Sequence, residues 1–491
     1  MISDKLLSKL ADKSLVAAKG LIAGEWLGKS DSGATFTVTN PATGEVLATL
    51  PDFGRAETQR AVDRAFAEQK QWAGKTARER AGVLRKLFGL MVANADDLAT
   101  ILTMEMGKPW LEARGEILYG ASYVEWFAEE AKRIYGDTIP GHQADKRIVV
   151  IRQPVGVVGA ITPWNFPNAM LARKVAPALA VGCAMVAKPA AETPLSAIAM
   201  AVLAGRAGLP AGLFSLVLST QAADIGKEFC ENAKIRKVTF TGSTKVGRIL
   251  MRQGAEQVLK MGLELGGNAP FIVFDDADID AAVEGAIVSK YRNNGQTCVC
   301  ANRLYVHDAV YERFAEKLAQ RVKGMKVGDG MEKGVDLGPL INEGALAKVA
   351  DHIADAVSKG AEVLAGGKPL QDGGLFFEPT ILTEVTGDML VAREETFGPV
   401  APLFRFRTEE EVVAMANNTE FGLASYFYSK DMAKIVRVAE ALEYGMVGIN
   451  TGLISTETAP FGGIKQSGLG REGSRYGADD YLEMKYLCLS V

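Results

Sequence analysis

The chain has 491 residues, 48% hydrophobic and 23% charged, with a formal net charge of −4, an ordinary globular mixture with length for roughly three domains of about 150 residues. No basic block interleaved with aromatics points to nucleic acid, and the apolar run 175–187 between Lys174 and Lys188 is shorter than the ~20 residues of a membrane span. The first residues lack a secretory or transit pattern and five cysteines in this length are no disulfide framework, so a reducing cytoplasm is the expected location.

Residues 55–135 read as helices; Leu84, Leu87, Phe88 and Met91 recur with the spacing of one buried helical face. From about residue 148 the pattern alternates. It predicts strand 155–161, helix 168–180, strand 184–187, helix 194–207, strand 213–218, helix 222–232, strand 237–240 and helix 244–258. The strands are almost continuously apolar, as they are in a parallel sheet covered by helices on both faces. A second alternating region spans about 266–450, with helix 279–291, strand 302–306, helix 310–325 and helix 345–359. The final stretch 481–491 reads as an apolar strand, and its edge needs a partner in this chain or in another subunit.

The chemistry gathers around Asn293-Asn294-Gly295-Gln296-Thr297-Cys298, which joins a helix to a strand. A cysteine flanked by glycine and amides at such a junction is placed to expose a thiolate near backbone N–H groups. The usual fate of a free cysteine is burial as a small hydrophobe, which suits Cys183, Cys230 and Cys488 better. Glu264, in Glu264-Leu265-Gly266-Gly267, stands in an apolar run, where burial would raise its pKa toward the range of a general base; an exposed strand position is the alternative. Asn165, in Thr162-Pro163-Trp164-Asn165-Phe166-Pro167, supplies a side-chain amide. A nucleophile, a base and an oxyanion donor are the parts of an acyl-transfer site.

The three histidines, His142, His307 and His352, lie outside these motifs and are expected at surface or packing positions. A base for Cys298 is therefore sought among carboxylates. Cys298 and Cys300 alone supply too few ligands for a metal, and none is expected. Gly242-Ser243-Thr244-Lys245-Val246-Gly247 follows a strand and opens a helix, where a cofactor pyrophosphate would meet backbone N–H groups; a glycine-enabled turn is the plain alternative. Lys188 ends a predicted parallel strand, the place where open α/β sheets bind ligands.

Seven pieces in this order resemble the aldehyde dehydrogenase superfamily over nearly the whole chain. They are Ile161-Thr162-Pro163-Trp164-Asn165-Phe166-Pro167, Lys188-Pro189, Phe240-Thr241-Gly242-Ser243, Glu264-Leu265-Gly266-Gly267, Gly295-Gln296-Thr297-Cys298, Glu394-Glu395-Thr396-Phe397-Gly398-Pro399 and Pro460-Phe461-Gly462-Gly463. The resemblance implies an α/β fold with three parts: a Rossmann-type NAD(P)-binding domain (1–132 and 151–265), an α/β catalytic domain (266–465) and a small β oligomerisation flap (133–150 and 478–491), in a homo-oligomer, dimer or tetramer. It implies Cys298 as nucleophile, Glu264 as the base that activates water, and Asn165 with the Cys298 N–H as oxyanion donors. Ile161, Thr162, Trp164, Asn165, Lys188, Ala191, Gly242, Ser243, Leu265, Glu395 and Phe397 match cofactor-lining positions. NAD-preferring members carry a glutamate where this chain has Ala191. Alanine leaves room for a 2′-phosphate, so NADP is the expected cofactor and NAD the weaker one, although Glu192 stands next to it.

Within the superfamily the chain is most similar to bacterial succinate-semialdehyde dehydrogenases. The similarity runs through Trp164 to Met170 with Arg173-Lys174, Arg292 through Arg303, Gly452-Leu453-Ile454-Ser455 and Ser467 to Gly473. Arg173 and Arg292 would hold a substrate carboxylate by charge-assisted bonds, with Ser455 adding a hydroxyl. Succinate semialdehyde is the expected substrate; glutarate semialdehyde, one methylene longer, is the rival, since a methylene is worth only about 1–3 kcal/mol of discrimination. A thioester hydrolase without hydride transfer, or a silent binding protein on the same scaffold, are the other classes. Cys300 adds a redox reading: on a strand it would share a face with Cys298, near the limit of disulfide reach.

Overall fold

Two sheets with parallel centres organise the chain in this computed structural model, which describes residues 1–370 and 374–491. The first has eight strands. Its five central members, Lys260–Glu264, Ile235–Thr241, Val157–Ile161, Ala184–Lys188 and Phe214–Leu216, lie parallel in that spatial order. The chain enters at Val157–Ile161, builds outward to Phe214–Leu216, then returns to the other side of Val157–Ile161 with Ile235–Thr241. This reversal opens a crevice at the carboxyl ends of Val157–Ile161 and Ile235–Thr241, the place where such sheets take ligands. The segments leaving those two strands carry Trp164 and Asn165 on one side and Gly242 and Ser243 on the other.

The sheet is antiparallel at its edges, which the alternating pattern did not predict. Gly20–Ile22 and Glu25–Leu27 form a hairpin at one edge. Its two-residue turn is Ala23 and Gly24, both at positive φ, the twist that suits tight hairpins. At the other edge Gly468–Leu469 pairs with Lys260–Glu264, so a late segment of the chain closes over the strand that ends in Glu264.

The second sheet has Thr380–Thr383, Val400–Phe406, Ala301–His307, Ala269–Val273, Ala424–Tyr428 and Met446–Ile449 in parallel, with Glu362–Ala365 antiparallel at one edge. A third, of three strands, joins Asp137–Ile139, Lys146–Pro154 and the terminal strand Leu482–Ser490. The terminal strand thus finds its partner within the chain. Its partner runs on to Pro154, past residue 150, and the side chains of Met484 and Tyr486 remain exposed. Cys488 is exposed on this strand rather than packed, while Cys183 and Cys230 are buried as expected.

The helices lie close to their predicted ranges, including Pro167–Val181, Pro194–Arg206 and Ile279–Tyr291. The helix expected over 244–258 is Thr244–Gly254 followed by a short 3-10 turn, because Val258 takes a left-handed conformation at φ 50°. Pro167–Val181 is buried along its whole length, Arg173 and Lys174 included. Both need partners there, since a buried charge left unpaired is costly. Glu472 supplies one for each.

Candidate active site

Cys298 sits on a buried loop made of polar residues. The helix Ile279–Tyr291 ends in a turn where Asn293 and Asn294 are left-handed at φ 53° and 56°, a conformation asparagine tolerates better than most residues. Gly295 follows at φ +73°, and a Cβ there would lie 2.1 Å from the Gly398 carbonyl oxygen. The buried amides are then shared out. Asn294 Nδ2 donates to Gly338 O at 2.9 Å, Gln296 Nε2 to Pro339 O at 3.3 Å, and Gln296 Oε1 accepts from Ile341 N at 3.0 Å. Asn165 Nδ2 donates to Gln296 O at 3.0 Å, and Asn293 Nδ2 donates to Asn165 O at 3.1 Å. The Cys298 N–H has no backbone acceptor among the described residues.

Cys298 and Val299 form a turn closed by the Cys300 N–H on Thr297 O at 3.0 Å, and the strand begins only at Ala301. The strand geometry behind the redox reading is therefore absent. Both thiols are free, and Cys300 Sγ is turned to the Lys290 carbonyl at 3.3 Å. The expectation of a stabilised thiolate also needs correction. Burial pushes the Cys298 thiol up to about 12, and Arg173 opposes this only in part. Glu264 is buried with Oε2 unpartnered. Burial, and then the charge of Glu472, raise its pKa well above the usual carboxylate range.

Two cavities meet at Cys298. One, of about 290 Å³, is lined by Arg173, Arg292, Ser455, Phe166, Tyr119 and Phe461 among others. The second, of about 360 Å³, is lined by Trp164, Asn165, Gly242, Ser243, Glu264, Leu265, Glu395 and Phe397. Cys298 and Met170 face both. The three residues expected to bind the substrate thus share the first cavity, and seven expected on the cofactor side share the second with Glu264.

On the cofactor side the glycine-led turn behaves as its sequence suggests. Ser243 caps the helix Thr244–Gly254, its Oγ accepting from Val246 N at 3.4 Å. Trp164 and Phe397 pack edge to face with centroids 5.6 Å apart. Glu395 accepts the Gly267 N–H at 3.2 Å, and burial raises its pKa to about 7. Four expected residues lie elsewhere. Ile161 ends its strand half-buried, and Thr162 N donates to Lys188 O at 3.2 Å. Lys188 is buried with Nζ on Pro189 O at 3.1 Å, and burial lowers its pKa; it lines neither cavity. Ala191 faces a separate cavity of about 470 Å³ with Glu192 and Thr35 to Thr39.

Lys348, which no motif signalled, lines the second cavity and donates to the Glu395 carbonyl at 2.6 Å. It comes from the middle of the helix Glu343–Ser358, where a lysine reads as an ordinary solvated residue. His352, one turn further along, is buried as a packing residue beside Thr396.

On the other side the two guanidinium groups are not equivalent. Arg173 Nη2 lies 2.7 Å from Glu472 Oε2, the guanidinium stacks 3.9 Å from the Phe461 ring centroid, and its Nε has no hydrogen-bond acceptor among the described residues. Arg292 is half-buried over Phe166 and has no ion pair among the described residues. Arg292 is therefore the guanidinium of this cavity that no carboxylate pairs among the described residues. One further ion pair, Lys108 with Glu116, and one further carboxylate, Glu112, whose Oε2 accepts Asn293 N at 2.8 Å, border the same cavity.

A nucleophile, a buried carboxylate with one unpartnered oxygen and a side-chain amide, set between a cavity bordered by two arginines and one at the crevice of the first sheet, agree with the comparisons to known proteins. The aldehyde dehydrogenase family profile matches residues 26–487. The chain belongs to the aldehyde dehydrogenase family. It is 63% identical to a glutarate-semialdehyde dehydrogenase of Pseudomonas putida, over 98% of this chain and 100% of that one. It is 60% identical to the NADP-dependent succinate-semialdehyde dehydrogenase of Escherichia coli, again over 98% and 100%. Its structure is similar to that of succinate-semialdehyde dehydrogenase from Burkholderia pseudomallei, with a TM-score of 0.97 at 63% identity, covering 98% of this chain and 100% of that one.

Two outcomes are expected from this geometry. With its pKa near 12, Cys298 should be alkylated slowly by iodoacetamide at pH 7, the rate rising about tenfold per pH unit to pH 10 as the thiolate fraction grows; a flat profile over that range contradicts the burial argument. Gly295→Ala should lower the melting temperature and the titre of reactive Cys298, because alanine is strained in the left-handed region by about 1–2 kcal/mol and its Cβ meets the Gly398 backbone. Wild-type values for both would show that the turn is not confined as described.

Proposed function

We propose that this chain oxidises succinate semialdehyde to succinate with NADP as oxidant, through a thioester on Cys298. The observation that carries the reading is the meeting of two cavities at one thiol, one bordered by Arg292 and Arg173, the other by Glu264 and the residues of the crevice. The aldehyde enters the first cavity with its carboxylate toward Arg292, Arg173 and Ser455. Glu264 takes the thiol proton and passes it to solvent as Cys298 Sγ attacks the aldehyde carbon, and the resulting oxyanion is held by the Asn165 amide and the Cys298 N–H. A donor of this kind is worth about 2.7–4 kcal/mol in other enzymes. The Asn165 amide, which rests on Gln296 O in this structure, swings to the oxygen when charge develops there. Glu264 then takes the proton of the water that attacks the thioester, and Cys298 leaves as the acid is released.

The second cavity suits a dinucleotide. A helix N-terminus behind Gly242 and Ser243 offers N–H groups to a pyrophosphate, the Glu395 carboxylate offers acceptors to a ribose hydroxyl, and Trp164 and Phe397 form an aromatic wall. NADP, when bound, supplies the nicotinamide that accepts a hydride. This cavity beside the thiol favours an oxidoreductase over a cysteine hydrolase. Ala191, and the space it shares with Thr35 to Thr39, favour a 2′-phosphate. Ile161, Thr162 and Lys188 support the crevice from behind.

Glutarate semialdehyde is the second reading, favoured by the name of the 63% identical Pseudomonas putida relative. We assign the part containing the crevice (1–132 and 151–265) to cofactor binding, 266–465 to the catalytic lobe, and the three-stranded sheet to assembly of a homo-oligomer through the exposed apolar side chains of Leu482–Ser490. Among the described residues no single helix is long and apolar enough to cross a membrane, and we place the enzyme in the cytoplasm.

Replacing Arg292 with Ala should raise KM for succinate and glutarate semialdehydes about 10- to 100-fold, the value of a hydrogen bond to a charged group, and leave KM for a neutral aliphatic aldehyde within about twofold. Equal effects on both kinds of substrate would remove Arg292 from carboxylate binding. For the cofactor, wild-type kcat/KM should favour NADP, and Ala191→Glu should shift the ratio toward NAD by tenfold or more through repulsion of the 2′-phosphate. A wild-type preference for NAD would overturn the assignment.

A further inference from the structure

Asn165 is gripped by a buried ion pair to which the reaction gives no part. Lys108 and Glu116 are 2% and 3% exposed. Lys108 Nζ donates to Glu116 Oε2 at 2.6 Å and to the main-chain carbonyl of Asn165 at 2.7 Å, and lies 3.7 Å from the centroid of the Phe166 ring. The other oxygen, Glu116 Oε1, accepts the N–H groups of Asn168 and Ala169 at 3.0 and 3.1 Å. The helix Pro167–Val181 has Phe166 at its N-cap and no capping side chain of its own. Glu116 therefore caps it from the helix Trp110–Glu130. One carboxylate–ammonium pair clamps the Asn165-Phe166-Pro167 corner from both sides.

The backbone of Lys108 is itself seated against the segment that holds the Cys298 loop. A Cβ on Gly338 would lie 2.1 Å from Gly107 O, and one on Gly330 would lie 2.5 Å from Lys108 O. Gly338 and Pro339 in turn accept the amides of Asn294 and Gln296. The ammonium is thus tied at one end to the oxyanion amide's own residue and at the other to the nucleophile's support. Its three protons are taken by Glu116, Asn165 and the Phe166 face, so none is left for an aldehyde. Buried ion pairs are often replaceable by apolar side chains without loss of stability. A pair with directional bonds on both sides of one catalytic corner fits a geometric task better than a stabilising one.

We propose that the Lys108–Glu116 ion pair is the positioning device of the oxyanion hole, fixing the Asn165 main chain so that its side-chain amide stands at the Cys298 loop. The proposal rests on the reading of Asn165 as oxyanion donor. Both residues are positioning residues that act through Asn165.

A double-mutant cycle tests it. The NADPH burst rate, kcat, both KM values and the melting temperature are measured for wild type, Lys108→Met, Asn165→Ala and the double variant, with succinate semialdehyde. Loss of the amide alone should lower the rate about 10²- to 10³-fold. Lys108→Met should lower it about 10- to 100-fold with both KM values within about twofold, Lys108→Arg should recover part of the loss, and the double variant should fall no more than about threefold below Asn165→Ala. Multiplying losses in the double variant, or an unchanged rate in Lys108→Met, overturn the positioning role. An unchanged rate in Asn165→Ala instead overturns the oxyanion reading beneath it. Should Lys108→Met fail to fold, Glu116→Gln enters the same cycle, since its amide oxygen still caps Asn168 and Ala169 while the charge that holds Lys108 is gone.

Discussion

A polar loop in the interior of a protein must find partners for most of the donors and acceptors it brings with it, and the Cys298 loop is built under that constraint, with only the Asn293 and Asn294 amide oxygens among its buried side-chain atoms left without a partner among the described residues. Its peptide groups belong to neither helix nor sheet, so the ordinary ladders do not serve them. The amides of Asn293, Asn294 and Gln296 take over, the first spent on the Asn165 carbonyl and the other two on the adjacent carbonyls of Gly338 and Pro339. Satisfying them draws Asn165, in the loop after the strand Val157–Ile161, and the 338–341 segment, ahead of the helix Glu343–Ser358, onto the same loop. The thiol is held in place by these bonds, and the two cavities exist because the loop stands between the sheets.

The same burial sets the electrostatics. Low dielectric favours neutral forms, and Cys298, Glu264 and Glu395 all have their pKa values raised by it. The cationic groups nearby do not cancel the effect, because Arg173 and Lys174 are already committed to Glu472. Arg292, half-buried and outside any ion pair among the described residues, borders the first cavity. An anionic substrate meets in Arg292 a cation with no ion pair among the described residues, although the Glu112 carboxylate lines the same cavity.

Fold class was legible because it rests on local patterning. Apolar strands alternating with amphipathic helices admit few arrangements other than parallel sheets with helical cover. The antiparallel edges were not legible, since Gly468–Leu469 finds its partner about two hundred residues away and has only two residues to signal it. The site was legible in part for a similar reason. Cys298, Glu264, Asn165 and the Gly242-Ser243 turn stand in short motifs whose composition is wrong for a core or a surface. Lys348, Lys108 and Glu116 carry no such mark. Lys348 and Glu116 sit in helices as charged residues of ordinary spacing and Lys108 in the link between two helices, and only the packing turns their heads inward.

By itself the sequence determined the chemical inventory and the order of the elements: one cysteine among amides, a carboxylate in an apolar strand, a scarcity of histidine, and strands too apolar to face water. Those are properties of composition and of short-range period. The tertiary structure alone decided which charges neutralise one another. It gave Glu472 to Arg173 and Lys174, tied Lys188 Nζ to the Pro189 carbonyl, placed Cys298 in a turn instead of a strand, and left Arg292 without an ion pair among the described residues. Charge pairing and desolvation depend on distance and burial between residues far apart in the chain, quantities that no local pattern encodes.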